Sequence, residues 1–207
     1  MTYPRWLLDR VAESQHALDE FLVATVTEPR LREPSRLPGW SRAHVLAHLV
    51  GNATAMAEMF EARATGQDVP QYGGSEHRRE ADIAAQAVLP AAELVELVRD
   101  SGARCLGALR AHRDWDGTLQ WLSGRWPATR GPISRWREIE IHRVDLDLGY
   151  GCGDWSGEFV EFHLRRELPR LADRGPEVRP PDLPDAQLLG WLLGRGEPGL
   201  PQLPPWG

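Results

Sequence analysis

Apolar residues recur at helical spacing in four long stretches of the chain. Over 5–27, Trp6, Leu7, Val11, Leu18, Phe21 and Leu22 sit among charges, with Pro4 near the start of the pattern. Residues 28–39 hold three prolines and read as a loop. Ser41 then suits an N-cap, opening a helix that runs to about residue 63. A polar segment, 66–79, includes Tyr72, Gly73, Gly74 and Ser75; loops of this length in compact domains often serve function. The spacing of Leu94, Val95, Leu97, Val98, Cys105, Leu106 and Leu109 predicts a helix over 91–112. A connector with Trp and Pro leads to a fourth helix over 131–148. Four long amphipathic segments joined by loops imply a mainly α fold, a four-helix bundle.

The pattern changes after residue 148. Gly149, Gly151 and Gly153 form a flexible join. Helical patterns at 158–172 and 185–193 are separated by the proline-rich PEVRPPDLP, and the tail LPQLPPWG is too rich in proline to be regular. Residues 1–150 therefore read as the bundle and 151–207 as a small C-terminal appendage, because roughly 55 residues bury little core alone.

Composition narrows the partners. A formal net charge of −6 argues against nucleic-acid binding, which asks for a basic face. No apolar run approaches the ~20 residues that span a bilayer, so no membrane partner is expected. The N-terminal stretch mixes acids with apolar residues and lacks a signal-peptide pattern, which predicts a cytoplasmic protein. Cys105 and Cys152 form no CxxC pair and suit packing better than chemistry. All 24 cationic residues are arginine, so Schiff-base and P-loop lysine chemistry are excluded. A total lack of lysine reads as codon bias in a GC-rich genome.

The candidate chemistry begins on the second long helix. Val45, Leu46, Leu49, Ala53, Met56 and Phe60 form its apolar stripe, and His48 lies at the stripe's edge with Asn52 one turn later. His44 sits about 40° further toward solvent. In RWREIEIHRVDL on the fourth helix, Glu138 and His142 are at i and i+4 and share a face. Asp145 follows three residues on, where it can orient the His142 ring. An acid and an imidazole facing a histidine from another helix make a three-ligand metal site with open positions. Three plainer readings stand beside it: a core-edge His48, a surface Glu138–His142 pair, and a half-exposed strand through the alternation from Glu138 to His142.

LPGWSRAHVLAHLVGNA (37–53), YGGSEHRREADI (72–83) and RWREIEIHRVDLDLGY (135–150) together resemble the mycothiol-dependent maleylpyruvate isomerase family, of the DinB-like metal-binding bundle superfamily. LLGWLLGRGEPGLPQLPPW (188–206) resembles that family's C-terminal segment. The resemblance implies a DinB-like four-helix bundle with a small C-terminal region, α or α+β. It implies a divalent metal, usually zinc, on His48, Glu138 and His142. It also implies mycothiol as thiol co-substrate: a metal-held thiolate adds to the cis double bond of maleylpyruvate, the new single bond rotates, and elimination gives the trans product. Arg195 in WLLGRG matches the family arginine implied near the site, a natural partner for an anionic substrate. Tyr72, Ser75 and Arg78 match the polar loop implied to touch thiol or substrate, though an ordinary solvated role fits them equally. Asn52, beside His48, joins them as a candidate cofactor contact. The all-arginine chain is compatible with an actinobacterial source, where mycothiol is the usual small thiol.

Two departures stand out. The stretch between the C-terminal helices reads as shortened, little more than PEVRPPDLPDA (176–186), so the substrate is open to change while the metal site persists. Arg143 stands where the family often has another histidine. The alternatives to the isomerase are a thiol S-transferase acting on another electrophile, a natural-product pathway enzyme, a metal-binding ligand sensor, and a metal-free bundle. A monomer or small homo-oligomer is expected.

Overall fold

A computed structural model describes residues 5–174, 178–201 and 203. The chain divides into two compact units, Met1–Leu146 and Asp147–Gly207. Pro4 and the final residues 204–207 of the tail lie outside the described residues.

The first unit is a bundle of α1 (Arg5–Thr25), α3 (Arg42–Ala64), α5 (Ala91–Ala111) and α6 (Arg130–Asp145). α3 packs along α5 and α6, and α1 along the same two helices. Every side chain of the apolar stripe read on α3 is buried, since Val45, Leu46, Leu49, Ala53, Met56 and Phe60 are at most 1% exposed. Ser41 is the N-cap of α3, and its hydroxyl lies 2.8 Å from His44 Nδ1, so His44 is used in closing the helix start. At one end of the bundle, Phe60, Leu109, Trp115, Leu119 and Trp121 join a buried, largely aromatic cluster. Gly131 lets α6 enter there: a Cβ on it would stand 2.5 Å from Phe60 Cζ.

Three segments differ from the sequence expectation. The expected loop over 28–39 contains a short helix, α2 (Glu28–Arg32), with Pro29 in its first turn, where a missing N–H costs nothing. Arg32 donates to the carbonyls of Ala87 and Leu89, both at 2.6 Å, and Glu28 accepts from Ala91 N–H, so tertiary contacts hold this five-residue turn. The polar segment expected as a loop over 66–79 becomes a 3₁₀ turn, Gln71–Gly74, followed by α4 (Glu76–Gln86). The connector before α6 holds an antiparallel hairpin of β1 (Thr118–Trp121) and β2 (Gly124–Pro127), with Leu119 paired to Trp126. Leu119 and Trp121 are buried, and Gln71 accepts from Leu122 N–H at 3.2 Å to pin the turn.

In the second unit the described residues are helical or irregular. They form a 3₁₀ turn (Cys152–Asp154), α7 (Gly157–Glu167), a 3₁₀ run (Leu168–Arg174) and α8 (Asp185–Leu192). Leu171, Trp191 and Leu192 make its small core. Among the described residues, no helix is long and apolar enough to cross a membrane.

Candidate metal centre

Two helices supply the cluster. His48 comes from the second turn of α3, and Glu138 and His142 from successive turns of α6. Arg42 ties the ends of these helices together: its Nε donates to Leu146 O at 2.6 Å and its Nη1 to Arg30 O at 2.9 Å, and it pairs with Glu33. Glu138 Oε2 lies 2.9 Å from His48 Nε2 and 3.3 Å from His142 Nε2. The ligand atoms of the three residues all fall within 4.8 Å of one another. The two imidazoles meet edge to face at 4.6 Å between centroids, and Trp40 lies against His48 at 5.8 Å. His48 and His142 are each 6% exposed.

The donor set fits a divalent cation. Two imidazole nitrogens and one carboxylate oxygen, converging from two helices, are the ligands that catalytic zinc sites use with positions left open. Burial and the neighbouring His142 push the His48 pKa down to about 4, leaving a neutral nitrogen ready to ligate at ordinary pH. Burial pushes the Glu138 carboxyl up, but hydrogen bonds from His142 and His48 outweigh it and hold the group well below the usual carboxylate range. For His142 burial works downward, while hydrogen bonds to Asp145 and Glu138 prevail and raise it. His142 Nδ1 lies 2.9 Å from Asp145 Oδ2, and Asp145 is 1% exposed. A proton on Nδ1 is thereby fixed, and Nε2 is left to a metal.

The remaining candidates separate. Tyr72 is buried close to the cluster, with φ +53° and ψ +29°, a left-handed backbone that is uncommon away from glycine. Its ring packs over Gly51 of α3, with Cε1 3.6 Å from where a Cβ there would stand. Burial first, and then the Glu138 charge, push the Tyr72 phenol up to about 12. Ser75 caps α4 by accepting from Arg78 N–H at 3.2 Å. The Arg78 side chain is 56% exposed and faces Asp82 at 3.8 Å. Asn52 is buried and its Oδ1 accepts from Arg135 Nη1 at 3.1 Å. Arg195 belongs to the second unit, where its Nη1 donates to Leu193 O at 2.7 Å.

Two arginines near the cluster escaped the sequence reading. Arg79 reaches His48 Nδ1 at 3.4 Å and hydrogen-bonds Tyr72. It stands one turn before Ile83, the buried residue of α4, so a helix read from the Ser75 cap would have placed it inward. Arg135, 1% exposed, lies one turn before Glu138 and donates to Leu49 O, Asn52 Oδ1 and Gln15 Oε1. Gln15 fits because α5 carries Gly102 there; a Cβ would come within 2.4 Å of the carboxamide. Arg135 thus sets a positive charge into the bundle beside the carboxylate of Glu138.

Residues 11–147 match the family described as the mycothiol maleylpyruvate isomerase N-terminal domain. Two solved structures resemble the whole chain at a TM-score of 0.83 each. One is of a mycothiol-dependent maleylpyruvate isomerase at 25% identity, the other of its histidine-to-alanine mutant at 24%, and both alignments cover 100% of either chain. No curated protein matches.

Proposed function

The chain belongs to the mycothiol maleylpyruvate isomerase N-terminal domain family, and from that membership we propose that it is a metal- and mycothiol-dependent cis–trans isomerase of the maleylpyruvate type. The observation that carries this reading is the convergence of His48, Glu138 and His142, with Asp145 behind His142. These three residues would hold a divalent cation, zinc by the chemistry of the donors, leaving at least one position open. Bound there, the cation supplies the Lewis acidity that keeps a thiol as thiolate, the nucleophile for reversible addition to an activated cis double bond.

The chain's own residues do the rest. Asp145 holds the ring of His142 and its Nδ1 proton, so this imidazole enters the site in one tautomer. Trp40 sets aromatic surface against His48, and the buried Tyr72 packs on Gly51 of the same helix. Arg195 is proposed as the catalytic guanidinium that takes an anionic group of the substrate.

The test is direct. Zinc-loaded protein with mycothiol and maleylpyruvate should consume the enol absorbance and form fumarylpyruvate. Omission of either thiol or metal should abolish that turnover, and Arg195→Ala should lower it. A loaded protein that stays inactive with both present would sink the isomerase. A stable thiol adduct in the mass spectrum would then point to S-transfer onto another electrophile.

A further inference from the structure

Resting on the metal reading above, we infer that Arg79 is an anion-binding residue of this centre, recognising a carboxylate of the substrate. Arg79 extends from α4 with its side chain 24% exposed, and Nη2 comes within 3.4 Å of His48 Nδ1. Its ion pair, with Glu76, is stretched to 4.0 Å, and the Glu76 side chain is 67% exposed, a pairing worth little in water. The guanidinium is therefore held beside the metal ligands by Tyr72 and a ring nitrogen, with no strong carboxylate partner. Arg78, its neighbour, is the contrast: its side chain is 56% exposed, lies against Gly73 and faces Asp82.

Charge gives the reason for an anion. Glu138 and Asp145 bring two negative charges to the centre, and Arg79 and Arg135 bring two positive ones. These cancel, and with Glu76 exposed and 4.0 Å from Arg79, most of the charge of a divalent ion would be left for ligands to neutralise. A thiolate and a substrate carboxylate together do so.

Tautomer chemistry gives the occasion. A guanidinium has donors only, so in the observed contact His48 Nδ1 is the acceptor and its Nε2 proton faces Glu138. A metal taking the Nε2 lone pair leaves the ring proton on Nδ1, where it meets the N–H of Arg79. Two donors repel, and Arg79 must turn from the ring toward an acceptor. A carboxylate presents two oxygens that match the guanidinium fork.

The experiment uses Co²⁺-loaded protein, whose visible spectrum reports the metal site, titrated with malonate as the dicarboxylate probe. Arg79→Gln should take up Co²⁺ with wild-type affinity and spectrum while binding malonate about tenfold or more weakly. Arg79→Lys, keeping charge without the fork, should fall between, and Arg104→Gln, at an exposed guanidinium paired with Glu61, should match the wild type. Undiminished malonate binding in Arg79→Gln would overturn the inference. Loss of Co²⁺ uptake in that variant would overturn it too, by showing a structural role. Wild type that takes Co²⁺ but ignores malonate refutes the inference alone. Wild type that takes no Co²⁺ refutes the metal reading along with it.

Discussion

His112 and His142 are the same residue type, equally sequestered at 4% and 6% exposure, each near the C-terminal end of a bundle helix, and they live in opposite chemistries. His112 lies between the rings of Phe60 and Trp115, at 4.9 and 4.8 Å between centroids, with Nε2 tied to the Asp114 carbonyl at 3.0 Å. Burial there lowers its pKa, and the backbone hydrogen bond to Asp114 only partly offsets this. His142 stands between two carboxylates that raise it. Burial alone therefore says nothing about function. A buried imidazole is placed to serve as a ligand where acids and a second imidazole converge on it, and to serve packing where rings and a carbonyl do.

The sharpest break of this comparison is removal of a ligand. Glu138→Gln or His142→Ala should weaken metal uptake by more than about a hundredfold, beyond what loss of an outer partner does. His112→Ala should leave metal stoichiometry unchanged. Metal analysis of untagged protein decides both, and equal retention in all three would dissolve the distinction. Asp145→Asn should cost about 10–100-fold in affinity, because the ligand survives and only its orientation suffers.

At the aromatic end, His112→Ala should destabilise the fold by roughly 1–3 kcal/mol through lost ring packing and a lost hydrogen bond to the Asp114 carbonyl. The pH dependence in metal-free protein should have opposite signs at the two sites. His142, raised in the fold, contributes stability that is full below its ordinary value of about 6.5 and is lost as pH rises through the folded value. His112, lowered in the fold, contributes stability that is full above about 6.5 and is lost as pH falls. Denaturant melts at about pH 5.5 and pH 8 should therefore show a larger penalty for His142→Ala at the lower pH and for His112→Ala at the higher. Penalties that move together would show that both histidines serve packing alone.

Much of the bundle was readable because its helices carry long apolar stripes. α4 was not: Ile83 is its buried residue and the rest of EHRREADIAAQ resembles solvent-facing sequence. The hairpin was hidden for a related reason, since a four-residue strand offers two inward side chains, Leu119 and Trp121, and no period to detect. Arg135 carries no sequence signal that separates it from an ordinary surface charge. What buries Arg135 is a set of acceptors on two other helices, Gln15 on α1 and Leu49 O and Asn52 on α3.

The sequence by itself determined which residues share a helix face: His48 inward of His44, and Glu138, His142 and Asp145 down one side of α6. Those relations follow from 3.6 residues per turn and need no neighbour. Only the tertiary structure decided that α3 meets α6 with His48 Nε2 2.9 Å from Glu138, that Arg79 rather than Arg78 turns inward, and that His112 meets rings instead of acids. Distances between helices depend on how side chains of all four interlock, and no local period encodes that.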